Sequence, residues 1–401
     1  MKYGLLGRKL GHSYSPRIHK LLGGYEYGLF EKEPEELGDF LKHGDFIGLN
    51  VTVPYKKAVL PYLDDLTDNA RKLGNVNTVV RRADGSLLGH NTDYDGFRSM
   101  VFRSELEISG KKALVLGTGG ASGTATSVLR ELGAAVVVIS RTGEDNYQNL
   151  DRHRDAAILV NATPVGMFPD TGVSPLNLED LPNLEGVLDL IYNPARTRLL
   201  MEAEERGLRT MNGLWMLVAQ AWGSAGMFLG SPLPECKIPE VYRILRLEME
   251  NIILIGMPGC GKSTVGKALA EHLGKSFVDA DRELEKRYGI SIPEFIPEHG
   301  EDAFRALETQ VLADLGKRSG LVIATGGGCV TREENYRLLH QNGTMVLLKR
   351  DRLATVGRPL SRNLEDLEKI RKPLYERLSD CKIDNNGTVS ETVERILEVL
   401  P

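Results

Sequence analysis

Asn251-Ile252-Ile253-Leu254-Ile255-Gly256-Met257-Pro258-Gly259-Cys260-Gly261-Lys262-Ser263-Thr264 decides how this chain is organised. Four aliphatic residues in a row read as a short strand buried on both faces. They run straight into Gly256-x4-Gly261-Lys262-Ser263, the spacing of a phosphate-binding loop between a strand and a helix. In such a loop backbone N–H groups surround phosphate oxygens. The lysine reaches the β and γ oxygens, and the serine hydroxyl ligates Mg²⁺. ATP with Mg²⁺ is thus expected on Gly259, Cys260, Gly261, Lys262, Ser263 and Thr264. Just upstream, Val241, Ile244, Leu245 and Leu247 stand close to helical spacing and predict a last helix over 239–249. A nucleotide-binding domain therefore begins in mid-chain, with almost no linker before it.

The 401 residues leave room for two or three domains. With 41% hydrophobic and 26% charged residues and a net charge of −5, the composition is that of a globular protein without the basic excess of a nucleic-acid binder. Apolar runs such as Ala134 to Ile139 are too short to span a bilayer. Met1-Lys2-Tyr3-Gly4-Leu5-Leu6 reads directly as a strand, and no signal peptide is expected. Cys236, Cys260, Cys329 and Cys381 lack metal-ligand spacing and read as free thiols of a cytoplasmic protein. The expected partners are small molecules, with no nucleic acid and no membrane; the oligomeric state is left open.

A second glycine turn lies further upstream. Lys111 to Leu116 reads as a buried strand, Gly117-Thr118-Gly119-Gly120-Ala121-Ser122-Gly123 as a turn, and the following residues as a helix to about Leu132. Ala134 to Ile139 is the next strand. Strand, glycine turn, helix, strand is the context of a dinucleotide site, with a pyrophosphate on the helix N-terminus. Ser122 stands where a third glycine is usual. Arg141, after the second strand, is placed to pair with a 2′-phosphate and so favours NADP over NAD. Residues 159–164 and 187–192 read as further strands, and a helix starts at Gly213. Ahead of all this, strands over 3–6, 48–53 and from Asn75, a return of the chain over 87–93 and a helix from about Pro16 predict a first α/β unit of about 100 residues.

Ser13-Tyr14-Ser15-Pro16, Asn50-Val51-Thr52-Val53-Pro54-Tyr55-Lys56, Val76-Asn77-Thr78, Asn91-Thr92-Asp93, Ser140-Arg141-Thr142 and Leu217-Val218-Ala219-Gln220, with the glycine turn, resemble shikimate dehydrogenase over residues 3–247. The resemblance implies NADPH reduction of 3-dehydroshikimate to shikimate. Reducing a ketone leaves charge on oxygen that must be protonated, and Lys56 with Asp93 matches the family's catalytic dyad. By the same resemblance Ser13 and Ser15 would bind the substrate carboxylate. Thr52, Lys56, Asn77, Asp93, Tyr192 and Gln220 would hold the rest of the ring. NADP(H) would lie along Gly117, Thr118, Gly119, Gly120, Ala121, Ser140, Arg141, Thr142, Leu190 and Gly213. One departure is Gly143-Glu144-Asp145, where the family often carries a second arginine; it predicts a weaker preference for NADP.

In the second half Val278-Asp279-Ala280-Asp281, Phe304-Arg305-x2-Glu308, Thr325-Gly326-Gly327-Gly328, Gly357-Arg358-Pro359-Leu360 and Arg371-Lys372-Pro373-Leu374-Tyr375 follow the phosphate loop. With it they resemble shikimate kinase from residue 251 to about 400. Asp281 would then bind the attacking hydroxyl, Arg305, Arg371 and the Gly327 backbone would hold shikimate, and Asp279 with Ser263 would serve Mg²⁺. Lys262 and, from a lid, Arg358 would steady the transferred phosphoryl group. The segment 349–371 is several residues shorter than the family pattern, and Asp384-Asn385-Asn386-Gly387-Thr388 lacks the basic residue often set against adenine. The expected architecture is α/β throughout. A substrate domain (1–100), a Rossmann NADP-binding domain (101–212) and helices packing back (213–250) precede a P-loop kinase domain with a parallel sheet (251–401). The expected function is two consecutive steps on one small acid. The alternative is a quinate/shikimate oxidoreductase fused to a related small-molecule kinase, which a room-making change near Ser13 or Thr52 would mark.

Overall fold

In the computed structural model, which describes residues 2–11, 13–351, 353 and 364–400, Asn251–Ile255 is the central strand of a five-stranded parallel sheet. The order is Ser276–Asp279, Leu321–Ala324, Asn251–Ile255, Gly343–Lys349, Cys381–Asp384. Ile253 stands opposite Ile323 on one neighbour and Met345 on the other. Successive side chains alternate between two cores, as strand geometry requires. Ile253 and Ile255 pack with Phe304, Leu312 and Tyr375, while Ile252 and Leu254 pack with Val265, Leu269 and Ile396. Both faces are covered, which is why this strand carries no polar alternation.

The chain forms two compact units. The one with this sheet comprises Arg246–Pro401 and two earlier pieces, Gly166–Val173 and Asn193–Met201. The second of these pieces is bonded along the turn before Gly343–Lys349. Arg196 donates its backbone N–H to Gln341 O at 2.8 Å, and its Nη1 lies 3.1 Å from His340 O. Ala195 donates its N–H to Asn342 Oδ1 at 2.8 Å, while Asn342 Nδ2 donates to Gly316 O at 3.1 Å. Asn342 is buried, so these bonds satisfy a side chain that water cannot reach. Lys237–Met249 is the expected helix before the central strand, and only Glu250 separates it from Asn251. Pro239 sits in its first turn, where a missing N–H is harmless.

The other unit holds two sheets. The six-stranded one is mixed, in the order Gly28–Glu31, Tyr3–Gly7, Gly48–Val51, Thr78–Arg81, Leu87–His90, Asp65–Leu66. The five-stranded one is wholly parallel, in the order Arg209–Met211, Gly186–Asp189, Ile158–Asn161, Lys112–Leu116, Ala135–Ile139. Helix Leu214–Leu229 returns to the first sheet, where the Phe228 ring lies against Gly48; a Cβ there would come within 2.2 Å of it. Strands expected over 159–164 and 187–192 end earlier, at Asn161 and Asp189. The reason is local at the first: Asn161 Oδ1 accepts from the Thr163 N–H at 3.1 Å and its hydroxyl at 2.7 Å, which bends the chain away. The strand expected from Asn75 begins at Thr78, and Gly28–Glu31, not expected, pairs with Tyr3–Gly7.

Candidate active sites

Ser15 opens helix Ser15–Gly23, and Ser13 lies just ahead of it, its Oγ accepting the Ser15 N–H at 3.2 Å. Two hydroxyls at a helix N-terminus suit a carboxylate. They line a cavity of about 290 Å³ together with Asn50, Thr52, Lys56, Asn77, Asp93, Tyr192 and Gln220. Ala121, Leu190 and Gly213 line the same cavity from the five-stranded sheet. The structure thus brings together all eight residues expected around the ring and three of those expected around the cofactor.

Lys56 follows Tyr55 on the one-turn helix Tyr55–Ala58. Tyr55 is buried and donates its hydroxyl to Lys32 O, and Lys56 O accepts the Val76 N–H at 2.8 Å. With its backbone tied on both sides, Lys56 points Nζ to 2.5 Å from Asp93 Oδ2. Asp93 lies in the first turn of Thr92–Ser104, capped by Asn91, where the helix dipole favours a carboxylate. Asn77 is locked beside them: its Oδ1 accepts the Thr92 N–H at 2.7 Å, and its Nδ2 donates to Thr92 Oγ1 at 3.0 Å. Asn50 was not among the expected site residues, yet it forms the floor. Its Oδ1 accepts from Tyr27 at 2.7 Å and its Nδ2 donates to Thr78 at 3.2 Å. Its place at the head of the Val51-Thr52-Val53-Pro54-Tyr55-Lys56 run was the available signal. Burial, with the neighbouring Tyr14, raises the Tyr192 hydroxyl above the ordinary range and keeps it a neutral donor.

Gly117 has φ +103°, which turns the chain out of Lys112–Leu116, and Gly119 precedes helix Gly120–Glu131. Ser122 occupies the third-glycine place because it closes the turn itself, donating Oγ–H to Gly117 O at 2.6 Å. A cleft of about 820 Å³ opens along Thr118, Gly119 and Gly120. Arg141 and Thr142 are exposed beyond Ile139, and Ser140 Oγ accepts the Gly143 N–H at 2.7 Å. Arg141 has no ion pair with a described residue.

In the unit of the all-parallel sheet around Asn251–Ile255, Gly256, Gly259 and Gly261 have φ of +142°, +81° and +99°, a path closed to residues with a Cβ. Lys262 opens helix Lys262–Leu273 and is buried, its Nζ donating to Gly256 O at 2.8 Å and Met257 O at 3.1 Å. Asn385, also buried, pins the loop from across the sheet: its Nδ2 donates to Cys260 O at 2.6 Å and its Oδ1 accepts from Thr392 at 2.7 Å. Its only sign in the sequence is its place in the segment Asp384-Asn385-Asn386-Gly387-Thr388. Ser263 Oγ donates to Asp279 Oδ2 at 2.6 Å, which sets two hard oxygens beside the phosphate loop. Among the described residues no three His, Cys, Asp or Glu gather as a metal cluster. That is compatible with Mg²⁺, which keeps most of its waters.

Asp281 lies in the first turn of Ala280–Tyr288. Its Oδ1 and Glu308 Oε1 both crowd Gly326, where a Cβ would stand 2.7 and 2.5 Å from them. Arg305 is buried against Gly328 and held by Glu308 at 2.7 Å and Glu301 at 2.8 Å. Burial opposes its charge, but the two carboxylates more than offset that and raise its pKa. Burial likewise pushes the Glu308 carboxyl up, against the pull of Arg305 and Arg371. Arg371 is buried on helix Leu364–Leu378, one turn before Tyr375, whose hydroxyl donates to Gly327 O. Two cations therefore flank Glu308, which shares Gly326 of the glycine loop with Asp281. Arg358 lies outside the described residues. No helix among the described residues is long and apolar enough to cross a membrane.

Comparison with known proteins agrees with this geometry. Residues 5–79 match the model of the shikimate dehydrogenase substrate-binding domain, and residues 258–401 that of shikimate kinase. Shikimate dehydrogenase (NADP(+)) of Clostridium beijerinckii is 37% identical over 241 residues, 55% of this chain and 88% of that protein. The crystal structure of shikimate dehydrogenase 1 from Peptoclostridium difficile superposes with a TM-score of 0.57 at 37% identity, covering 62% of this chain and 99% of that one. Shikimate 5-dehydrogenase from Thermus thermophilus, solved in complex with NADP(H) and shikimate, gives 0.54 at 33% identity, over 61% and 98%. The chain belongs to the shikimate dehydrogenase family, and with the kinase domain that follows it is a bifunctional enzyme of the shikimate pathway, a shikimate dehydrogenase (NADP) joined to a shikimate kinase.

Proposed function

We propose that the first half reduces 3-dehydroshikimate to shikimate with NADPH and that the second transfers the γ-phosphoryl of ATP to the 3-hydroxyl of shikimate. The functional boundary is put at residue 250. The observation that carries the reading is the Lys56–Asp93 pair, 2.5 Å apart, in a cavity with Ser13 and Ser15 on one wall and the dinucleotide-side residues on the other. NADPH supplies the hydride to the ketone carbon. Lys56 gives its proton to the ketone oxygen as charge develops there, and Asp93 orients the ammonium group and accepts from a ring hydroxyl. Ser13 and Ser15 hold the carboxylate, and Asn77, already fixed by Thr92, reads a hydroxyl.

In the kinase the substrate carboxylate lies between Arg305 and Arg371, and the Gly327 backbone supports the ring. Asp281 accepts a hydrogen bond from the hydroxyl whose oxygen attacks phosphorus. Lys262 moves from its own loop's carbonyls to the β and γ oxygens. Ser263 and Asp279 would hold Mg²⁺, which would supply neutralisation of phosphate charge. The four free cysteines fit a cytoplasmic location. Incubating the full chain with 3-dehydroshikimate, NADPH and MgATP and identifying products by mass tests the whole reading. Shikimate 3-phosphate should accumulate with stoichiometric NADP⁺ and ADP. Turnover of quinate in place of shikimate would favour the quinate/shikimate oxidoreductase, and no reduction at all would refute the first half.

A further inference from the structure

The loop after Ile139 carries one cation, Arg141, and two anions, Glu144 and Asp145, where a doubly charged 2′-phosphate is to be bound. It is a closed structure. Ser140 bridges to Asn146 and donates its N–H to Asp145 O at 3.2 Å. Asn146 Nδ2 donates to Gly143 O at 3.0 Å, and Asn149 Nδ2 to Glu144 O at 2.8 Å. Arg141 to Glu144 are exposed, and Asp145 is turned inward. Its Oδ1 lies 2.8 Å from Nε2 of His153, on the turn Leu150–His153. The His153 side chain is 8% exposed and its Nδ1 is buried without a partner. A carboxylate oxygen accepts only, so Nε2 is the ring nitrogen that donates to Asp145. Arg141, four residues from Asp145 in a closed loop, is left with no carboxylate among the described residues.

We propose that His153 is a positioning residue for cofactor choice: it holds the Asp145 carboxylate off Arg141 and so keeps the guanidinium for the 2′-phosphate of NADP. This rests on the reading of Arg141 as the 2′-phosphate site. Freed of His153, Asp145 becomes an intramolecular competitor for the same cation. A charge-assisted pair of ordinary strength then reduces NADPH affinity by about tenfold. NADH, without the phosphate, is nearly unaffected.

The test measures KM for NADPH and NADH in the full-length enzyme. His153→Leu should raise KM for NADPH about tenfold, with KM for NADH and for 3-dehydroshikimate changed less than twofold. Adding Asp145→Asn should restore the parent value, which a merely structural loss would not do, and His153→Gln, which keeps an N–H donor, should retain selectivity. If His153→Leu does not fold, His153→Ser, too short to reach the carboxylate, carries the same expectation. An unchanged NADPH/NADH ratio in a folded variant, or no recovery in the double variant, overturns the role of His153. Arg141→Ala separates the two ideas: an unchanged ratio there would refute the phosphate site itself.

Discussion

Replacing Asn385 by alanine isolates what holds the phosphate loop in shape. Its amide bridges Cys260 O, inside the loop, and the Thr392 hydroxyl, and it is 2% exposed. The Thr392 hydroxyl keeps a second acceptor, Thr388 O at 3.1 Å, so the truncation strands chiefly one group, the Cys260 carbonyl. A buried acceptor left unpaired costs about 1–3 kcal/mol. In the native chain that carbonyl is satisfied only while the loop keeps its cradle. Its loss therefore falls on the conformation that receives phosphates. With 1.4 kcal/mol per decade, KM for ATP should rise about 5- to 100-fold, most plainly by about tenfold. KM for shikimate should stay within about twofold. The assay couples ADP release to a spectrophotometric readout. The dehydrogenase rate in the same cuvette serves as an internal standard for protein that is folded and present. An unchanged KM for ATP in a folded variant, or a rise confined to shikimate, would refute the claim that Asn385 works through the loop.

Three further outcomes follow from the geometry. Lys56→Ala should lower dehydrogenase kcat by about 10²- to 10⁴-fold and leave ATP use with added shikimate intact; equal loss of both activities in folded protein would contradict separate chemistry. Arg305→Ala and Arg371→Ala should each raise KM for shikimate by about tenfold or more, from a lost charge-assisted bond of about 1.5–3 kcal/mol, with KM for ATP little changed; a reversed pattern would assign the arginines to the nucleotide. His19 is fully buried, and burial lowers its pKa to about 3, so the unfolded chain binds the extra proton between roughly pH 6.5 and 3. Stability from this group is complete above pH 6.5 and is lost as pH falls through that window. Trp215 and Trp222 both lie in the first unit. The urea midpoint of their fluorescence should therefore fall less between pH 7 and 5 in His19→Gln than in the parent, and identical slopes would show that His19 does not carry the effect.

What could be read from sequence was what the backbone enforces. Gly256, Gly259 and Gly261 take φ values that other residues avoid, so their spacing announces a loop whatever surrounds it. The run Asn251–Ile255 had to be central because it is apolar on both faces. The motifs around Ser13, Lys56, Asn77 and Asp93 could likewise be found one by one, and the cavity gathers them. Asn385 could not be found that way. Its partner Cys260 is 125 residues distant, and an asparagine in a turn is common for reasons of its own. His153 and Asp145 form no motif and meet through a loop folded by the bonds of Asn146 and Asn149. The strand Gly28–Glu31 escaped notice because four residues with glycine first carry too little periodicity to stand out. The strand end at Asn161 was overrun because it is set by the asparagine's own bonds to Thr163, which composition does not show.

The seam at Asn342 bears on how such a gene can change afterwards. A kinase cut out at residue 250 would leave Asn342 Oδ1 without the Ala195 N–H and Gln341 O without that of Arg196, both drawn from a stretch some 50 residues upstream of the cut. Joining two reading frames requires no such bonds, but once they exist, separation breaks them and opens to water a surface built to be covered. Fusion here acts as a ratchet. Each substitution that improves the seam makes fission more costly, so descendants should lose one activity by decay of its site sooner than by shedding the polypeptide that carries it.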